Sequence, residues 1–308
     1  MDSDDCARFM TPQARSQSDE EVIDHVASAS GYLSEAGSPL RRPAQFWRET
    51  RNAFLISCRI APRLTARSLR AQYRSSVLGY VWLFVPPLAI SFTWLYLTWS
   101  GVISNSETRL PYSVFVVTGI LLWTSFFEAV SSPLNQLLEA ANLLSKVNFP
   151  PEAVIVSGFL SVLLSSVVRL VILIPVFLLG DVRPSASLLL APIGLLALLI
   201  LGFSVGLILA PFGALYRDFG QAIPVALYFL FFLTPVAYEF PDTLDEPLLV
   251  RYNPISSVLD TARDWLTGGP AMPSPTWLIM VFASMLLLLS GWVVFRVAMP
   301  HLVDRINV

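Results

Sequence analysis

The sequence is poor in charge. Only 14% of its 308 residues are Asp, Glu, Lys or Arg, and Lys146 is the only lysine. The two cysteines, Cys6 and Cys58, lie far apart in the chain, a spacing that predicts neither a disulfide framework nor a metal site. The two histidines, His25 and His301, lie near the ends of the chain, so no histidine proton relay is expected.

The surroundings of Lys146 exclude one kind of energy-converting site. The phosphate-binding loop of many ATPases has the pattern G-x-x-x-x-G-K-S/T. The sequence around the only lysine is LLSKVNF, which has no glycine nearby. The chain is therefore predicted not to hydrolyse ATP by this chemistry, so energy for any active process must come from a partner or from a gradient.

Apolar residues are abundant instead. They make up 55% of the chain, and the mean hydropathy of +0.63 lies outside the range of soluble domains. A helix needs about 20 mostly apolar residues to cross a bilayer, and it satisfies its own backbone hydrogen bonds there. The runs of this kind predict an all-α membrane protein with six transmembrane helices, near residues 77–99, 110–131, 153–179, 187–213, 219–238 and 276–298.

The segments outside these spans differ in charge. Residues 1–40 contain mostly acidic and small polar residues, and we expect a disordered acidic tail without a cleavable signal peptide. Residues 41–76 are predicted to form a cytoplasmic amphipathic helix. Residues 77–298 then form the transmembrane domain, and residues 299–308 form a cytoplasmic tail.

The arginines predict the orientation. Between Arg41 and Arg74 the only acidic residue is Glu49, and this basic segment directly precedes the first span. Because positively charged loops stay in the cytoplasm, the N-terminus is predicted to be cytoplasmic. With six spans, the loop around Lys146 and the C-terminus lie on the same side.

Arg63, Arg67, Arg70 and Arg74 recur at i, i+4, i+7 and i+11, so they share one face of a helix. Such a stripe predicts an interfacial helix that lies on anionic headgroups of the membrane lipids. A nucleic-acid partner is not expected, because that role needs a basic globular domain.

The polar segment between the second and third spans has two interpretations. In LNQLLEAANLLSKVNF, apolar residues recur at helical spacing, which predicts an amphipathic helix that contacts lipid headgroups or a groove of another protein. The alternative is a solvated turn that ends at Pro150 and Pro151.

Charged residues near the membrane are few. Arg169 lies near the middle of the third predicted span, where a charge costs about 2.5–3.5 kcal/mol on insertion scales. It could contact an anionic substrate group, but we expect an intramembrane pair or a contact with backbone carbonyls. Glu128, near the inner end of the second span, is expected at the interface.

The outer connection between the fifth and sixth spans contains two short apolar pieces separated by Asn253 and Pro254. Each piece is too short to cross a membrane. The sequence leaves open a re-entrant segment or a structured extracellular loop.

Aromatic residues form a stripe on two of the predicted spans. They could pack together, anchor the helices at the interface, or line a channel. The candidate channel-lining aromatics are Phe92, Tyr96 and Trp99 in the first span and Tyr228, Phe231 and Phe232 in the fifth.

Five sequence pieces, in order, resemble permease subunits of polysaccharide-exporting ABC transporters, the type-2 exporters of O-antigen, capsule and teichoic acid. They are RSLRAQYRSSVLGYVWLFVPPL from Arg67, GILLWTSFFEAV from Gly119, NLLSKVNFPPE from Asn142, YRDFGQAIPVALYFLFFLTPVAY from Tyr216 and YNPISSVLDTARDWL from Tyr252. The family often has an acidic residue where this chain has Ser68.

This resemblance implies a homodimer in the inner membrane that exports a lipid-linked glycan. Two copies of a separate P-loop ATPase would bind ATP and magnesium, and this chain would need no cofactor of its own. The cytoplasmic helix between the second and third spans would dock on that ATPase through Leu143, Leu144, Lys146, Phe149 and Glu152.

The resemblance also implies two re-entrant helices at Asn253 and Pro254 that form an outer gate. An ABC-type drug or lipid exporter is the alternative within the same superfamily. A membrane glycosyltransferase would need organised carboxylates, and Asp242, Asp245 and Glu246 match no motif. A gradient-driven transporter would show inverted repeats and buried acids, and the sequence suggests neither.

Overall fold

The structure is a computed structural model that describes residues 43–74, 78–102, 110–144, 151–182, 185–238 and 253–306. All regular secondary structure in these ranges is helical, as the apolar runs predict. The predicted acidic tail lies outside the described residues. The α-helices are α1 (Pro43–Arg74), α2 (Val85–Trp99), α3 (Tyr112–Leu144), α4 (Pro151–Leu170), α5 (Leu173–Leu179), α6 (Ala191–Leu215), α7 (Arg217–Leu233), α8 (Pro254–Thr267) and α9 (Pro275–Ile306).

Four helical stretches are long and apolar enough to cross a membrane: Tyr112–Glu139, Glu152–Leu179, Ala186–Leu215 and Pro275–Met299. They correspond to the second, third, fourth and sixth predicted spans. The helices at the first and fifth predicted spans, α2 and α7, have 15 and 17 residues, which is shorter than the usual span of about 20. The described residues therefore support a multi-pass membrane protein, and the count of six spans remains a prediction.

The core of the bundle is the contact between α3 and α6. Both helices are largely buried, and Gly202 and Gly206 of α6 lie four residues apart on the face that meets α3. A methyl group at Gly206 would collide with the backbone carbonyl of Val130. Small residues at this spacing let two membrane helices approach closely, because neither side chain separates the backbones.

The third predicted span is interrupted near its outer end. Helix α4 ends at Leu170 and α5 begins at Leu173. Pro175 explains the break, because it cannot donate to the carbonyl of Val171 and its ring crowds that carbonyl. The carbonyl of Val171 instead accepts a hydrogen bond from the backbone N–H of Ile174 at 3.2 Å.

Helices α4 and α9 form the periphery of the bundle. Their membrane-length stretches are mostly exposed in the single chain, and α9 carries exposed Leu278, Ile279, Phe282 and Leu286. Apolar side chains on an outer surface of this kind suit contact with lipid. Helix α9 continues to Ile306, so most of the predicted C-terminal tail is a helical extension.

Candidate functional site

Five of the six candidate channel-lining aromatics form an exposed surface on α2 and α7. Phe92, Tyr96 and Trp99 of α2 are 70%, 54% and 86% exposed, and Tyr228 and Phe232 of α7 are 62% and 61% exposed. We call these five residues the aromatic surface. Large exposed apolar patches mark contacts with a partner protein, a ligand or a membrane.

The sixth candidate, Phe231, points inward and joins the two helices to the core. Its ring centroid lies 6.2 Å from that of Trp94 on α2 and 5.7 Å from that of Trp123 on α3. Tyr228 also contacts α3, with its ring centroid 5.7 Å from that of Phe127. These tilted and edge-on contacts are favourable aromatic arrangements, and they hold α2 and α7 side by side on α3.

The predicted cytoplasmic helix is the inner continuation of α3. The helix runs without interruption from Tyr112 to Leu144, so the segment is not a separate element. Within it Leu137 is buried and Leu138 is exposed. Leu143 and Leu144 lie in its last turn and their side chains are outside the described part of the structure, as are Lys146 and Phe149 entirely.

The last residue of the predicted coupling set, Glu152, lies in the first turn of α4, which begins at Pro151 as the double proline predicts. A carboxylate is favourable there because the helix N-terminus carries partial positive charge. The side chain is buried, and its Oε1 lies 3.8 Å from Nε of Arg296 on α9. Glu152 therefore faces α9 and connects the end of the loop to the last helix.

The arginine-bearing helix α1 packs along α4 through small side chains. Ser57, Ala61 and Thr65 recur every four residues and are buried, and the Thr65 hydroxyl donates to the backbone carbonyl of Ser157 at 3.1 Å. The arginines of the predicted stripe point away from this contact. Arg63, Arg67 and Arg70 are exposed, and the side chain of Arg74 is outside the described residues.

Arg169 forms an ion pair with Glu128 between α4 and α3. The Arg169 side chain is almost completely buried, whereas the Glu128 side chain is 33% exposed. Within the described residues, Nε and Nη1 of Arg169 have no hydrogen-bond partner. The sequence offers no sign of this pairing, because the two residues lie on different helices and their register depends on packing.

The outer segment contains one described helix, α8, which is buried along most of its length. The Asn253 side chain caps its N-terminus by accepting a hydrogen bond from the Ile255 N–H at 3.0 Å, and Pro254 occupies the first turn. Gly268, with φ of 86°, ends the helix in the left-handed conformation. At 14 residues, about 21 Å, α8 is too short to cross a membrane.

Arg263 on α8 was not among the predicted site residues. Its side chain is buried, with Nη1 3.1 Å from Asp260 Oδ1 and Nη2 2.7 Å from the backbone oxygen of Val236. The guanidinium also lies over the ring of Phe115, 3.9 Å from its centroid. The available signal was an arginine on a short amphipathic helix.

The described residues contain no group of three or more His, Cys, Asp and Glu side chains that could hold a metal ion. Their polar and charged side chains are dispersed among several helix contacts. The exposed aromatic side chains of α2 and α7 are the surface in the described residues that is suited to binding.

Comparisons with known proteins agree on one family. The model of the family described as ABC-2 type transporter matches residues 63–265. Two O-antigen export system permease proteins RfbA from Klebsiella pneumoniae are 25% and 24% identical to the chain over 210 residues, which cover 67% of the chain and 79% of each relative. The protein of the same name from Myxococcus xanthus is 28% identical over 199 residues, which cover 64% of the chain and 75% of the relative.

Proposed function

Because the chain belongs to the ABC-2 type transporter family, we propose that it is the membrane subunit of an ABC transporter that exports a lipid-linked polysaccharide. The observation that carries the proposal is the aromatic surface on α2 and α7. The similarity to three proteins named O-antigen export permeases supports the same class of substrate.

An aromatic surface suits a sugar polymer for a physical reason. The C–H faces of sugar rings stack on aromatic planes, and each contact is weak. A long chain therefore slides over successive rings and is not trapped at any one of them. An apolar drug would instead be favoured by one closed pocket that buries most of its surface.

The partner of the aromatic surface is a second copy of this chain. Two copies that face each other through α2 and α7 would enclose the track and shield it from lipid. Trp99 is the most exposed of the five side chains and lies at the outer end of α2, where it would also anchor the helix at the interface.

Energy enters from a separate ATPase, in two copies, that binds ATP and magnesium. The docking element is the inner end of α3 with the loop that follows, through Leu143, Leu144, Lys146 and Phe149. Glu152 has a different part in this proposal, because it is directed to Arg296 and so transmits movement of the loop to α9.

The chain is placed in the cytoplasmic membrane of a bacterium with both termini inside. The exposed arginines of α1 then lie against anionic headgroups of the inner leaflet, and each contributes about 1 kcal/mol near the surface. With this orientation α8 lies on the outer side as a re-entrant helix, and Asn253 and Pro254 begin the outer gate.

The test replaces Tyr96, Tyr228 and Phe232 by alanine, singly and together. The expected result is a loss of surface glycan, greatest in the triple variant, at unchanged amounts of permease in the membrane. The matched control is Phe282→Ala on α9, which removes an equally exposed aromatic side chain from the outer face of the bundle.

Full export by the triple variant would exclude these side chains as the track. Loss of resistance to a drug, with surface glycan unchanged, would favour the alternative of a drug exporter. Loss of glycan in the Phe282→Ala control would show that removal of any exposed aromatic is damaging.

A further inference from the structure

The segment that follows α7 is not helical and yet is largely buried. Helix α7 ends at Leu233, and Thr234, Val236 and Ala237 are almost inaccessible. Backbone carbonyls without partners are costly in such a place, because no bulk water replaces the helical hydrogen bonds. The donors that hydrogen-bond to these carbonyls therefore show what stabilises the segment.

Six consecutive carbonyls, from Phe232 to Ala237, all have a donor. Five of the six hydrogen bonds come from side chains, and four of those five come from Asn253, Arg263 and Tyr112, which lie outside the segment. The carbonyl of Phe232 accepts from Tyr238 Oη (2.5 Å), that of Leu233 from Asn253 Nδ2 (3.5 Å) and that of Thr234 from the Val236 N–H (2.7 Å). The carbonyls of Pro235 and Val236 accept from Arg263 Nη2 (3.3 and 2.7 Å), and that of Ala237 accepts from Tyr112 Oη (2.9 Å).

Arg263 is the centre of this arrangement because, among these donors, it connects its own helix to both the unwound segment and α3. Its Nη2 binds the carbonyls of Pro235 and Val236, it lies on α8, and its guanidinium covers Phe115 of α3. Gly119 of α3 makes room for it, since a methyl group at Gly119 would collide with both Arg263 and the Val236 carbonyl. Gly119 lies seven residues after Tyr112, about 10 Å along α3 from its outer end.

We propose that Arg263 is a positioning residue for transport, which locks the unwound end of α7 to α3 and α8 and thereby holds Tyr228 and Phe232 in line with the aromatic side chains of α2. We call the contacts of Arg263 with Pro235, Val236 and Phe115 the lock. Its role depends on the proposed function, because the lock aligns the aromatic surface. Lysine cannot replace arginine here, because it lacks the planar group that binds two carbonyls and stacks on a ring at once.

The experiment uses the full permease with its ATPase, with Cys6 and Cys58 replaced by serine and a spin label on Phe229→Cys. Phe229 is exposed on α7, close to the unwound segment, and is not part of the aromatic surface. Spin-label mobility and surface glycan are measured in Arg263→Lys, Arg263→Gln and Tyr112→Phe variants. Tyr112→Phe removes only the hydrogen bond to the Ala237 carbonyl of the same segment. It therefore tests the proposal with a milder change if the Arg263 variants do not fold.

The Arg263 variants are expected to mobilise the label and to lower export about tenfold, the loss that corresponds to roughly one hydrogen bond to a charged group. Tyr112→Phe should have a smaller effect in the same direction. Gly202→Ala is the control for general destabilisation, because the new methyl group crowds Ala129 and Phe126 in the α3–α6 contact. It should lower stability without mobilising the label.

An immobile label and normal export in the Arg263 variants would overturn the proposal. So would a mobile label with normal export, because the lock would then have no part in transport. If the Arg263 variants behave as expected while alanine variants of Tyr228 and Phe232 export normally, the contacts of Arg263 matter for transport, but the sugar track and its alignment by Arg263 are both overturned. If the alanine variants lose export and the Arg263 variants do not, the track stands and the lock is wrong.

Discussion

The ion pair between Arg169 and Glu128 makes a quantitative prediction. Removing one partner of a fully buried pair costs about 3–5 kcal/mol, because the other charge stays buried without compensation. Arg169 is almost completely buried, but the Glu128 side chain is one-third exposed, so the chain encloses a lone Glu128 carboxylate only in part. For Arg169→Leu we therefore expect a smaller loss, about 2–3 kcal/mol, in the free energy of unfolding.

The double variant Arg169→Leu with Glu128→Gln distinguishes this pair from a simple loss of packing. It removes both charges, and the replacement of a buried pair by neutral groups is often neutral or stabilising. Its stability should return close to that of the parent, so the coupling energy in the double-mutant cycle should equal the loss in Arg169→Leu, about 2–3 kcal/mol, plus the loss in Glu128→Gln alone. The measurement is unfolding of the purified protein in mixed micelles, with insertion checked by membrane fractionation.

Export in the same strains separates structure from substrate binding. If Arg169 is structural, the double variant restores stability and export together. If Arg169 binds an anionic group of the substrate, the double variant is stable but does not export. Additive losses in the cycle, with no coupling between the two positions, would refute the pair itself.

Two further predictions concern the side of the membrane that is cytoplasmic in the proposed orientation. Either Glu152→Arg or Arg296→Glu alone should lower export, and the double variant, which exchanges the two charges, should restore it, as measured by surface glycan at matched permease levels. Equal loss of export in the double variant and the single variants would show that the contact between α4 and α9 is unimportant. The double variant Lys146→Glu with Phe149→Ala should no longer co-purify with the ATPase and should no longer export, while the permease remains inserted in the membrane. A double variant that still binds the ATPase and exports would exclude docking at this segment.

Most of the helices could be predicted because continuous apolar runs have few alternatives in a membrane. The second predicted span begins within two residues of Tyr112, and the third begins within two residues of Pro151. The interruption after Leu170 is also readable, since Pro175 removes one donor and crowds the preceding turn. These features depend on local sequence alone.

The contacts between helices are harder to predict from the sequence than the helices themselves. Helical spacing groups Phe231 with Tyr228 and Phe232, but Phe231 is directed inward because Trp94 and Trp123 provide a place for it. The family resemblance implies that Glu152 faces the ATPase, and the structure adds a contact of its side chain with Arg296 that the sequence does not predict. In both cases the orientation depends on residues far away in the chain.

The length of α3 has a mechanical consequence. Its 33 residues extend about 50 Å, whereas the apolar interior of a membrane is about 30 Å thick. Arg263 over Phe115 holds its N-terminal part, α6 holds its middle, and its C-terminal part packs on α4 through Gln136 and on α6 through Leu134. Pro133 lies in that C-terminal part, where its missing N–H weakens the helix. A push on the C-terminal end would therefore bend α3 near Pro133 and shift α4 with it, whereas the part that contacts Arg263 would stay in place.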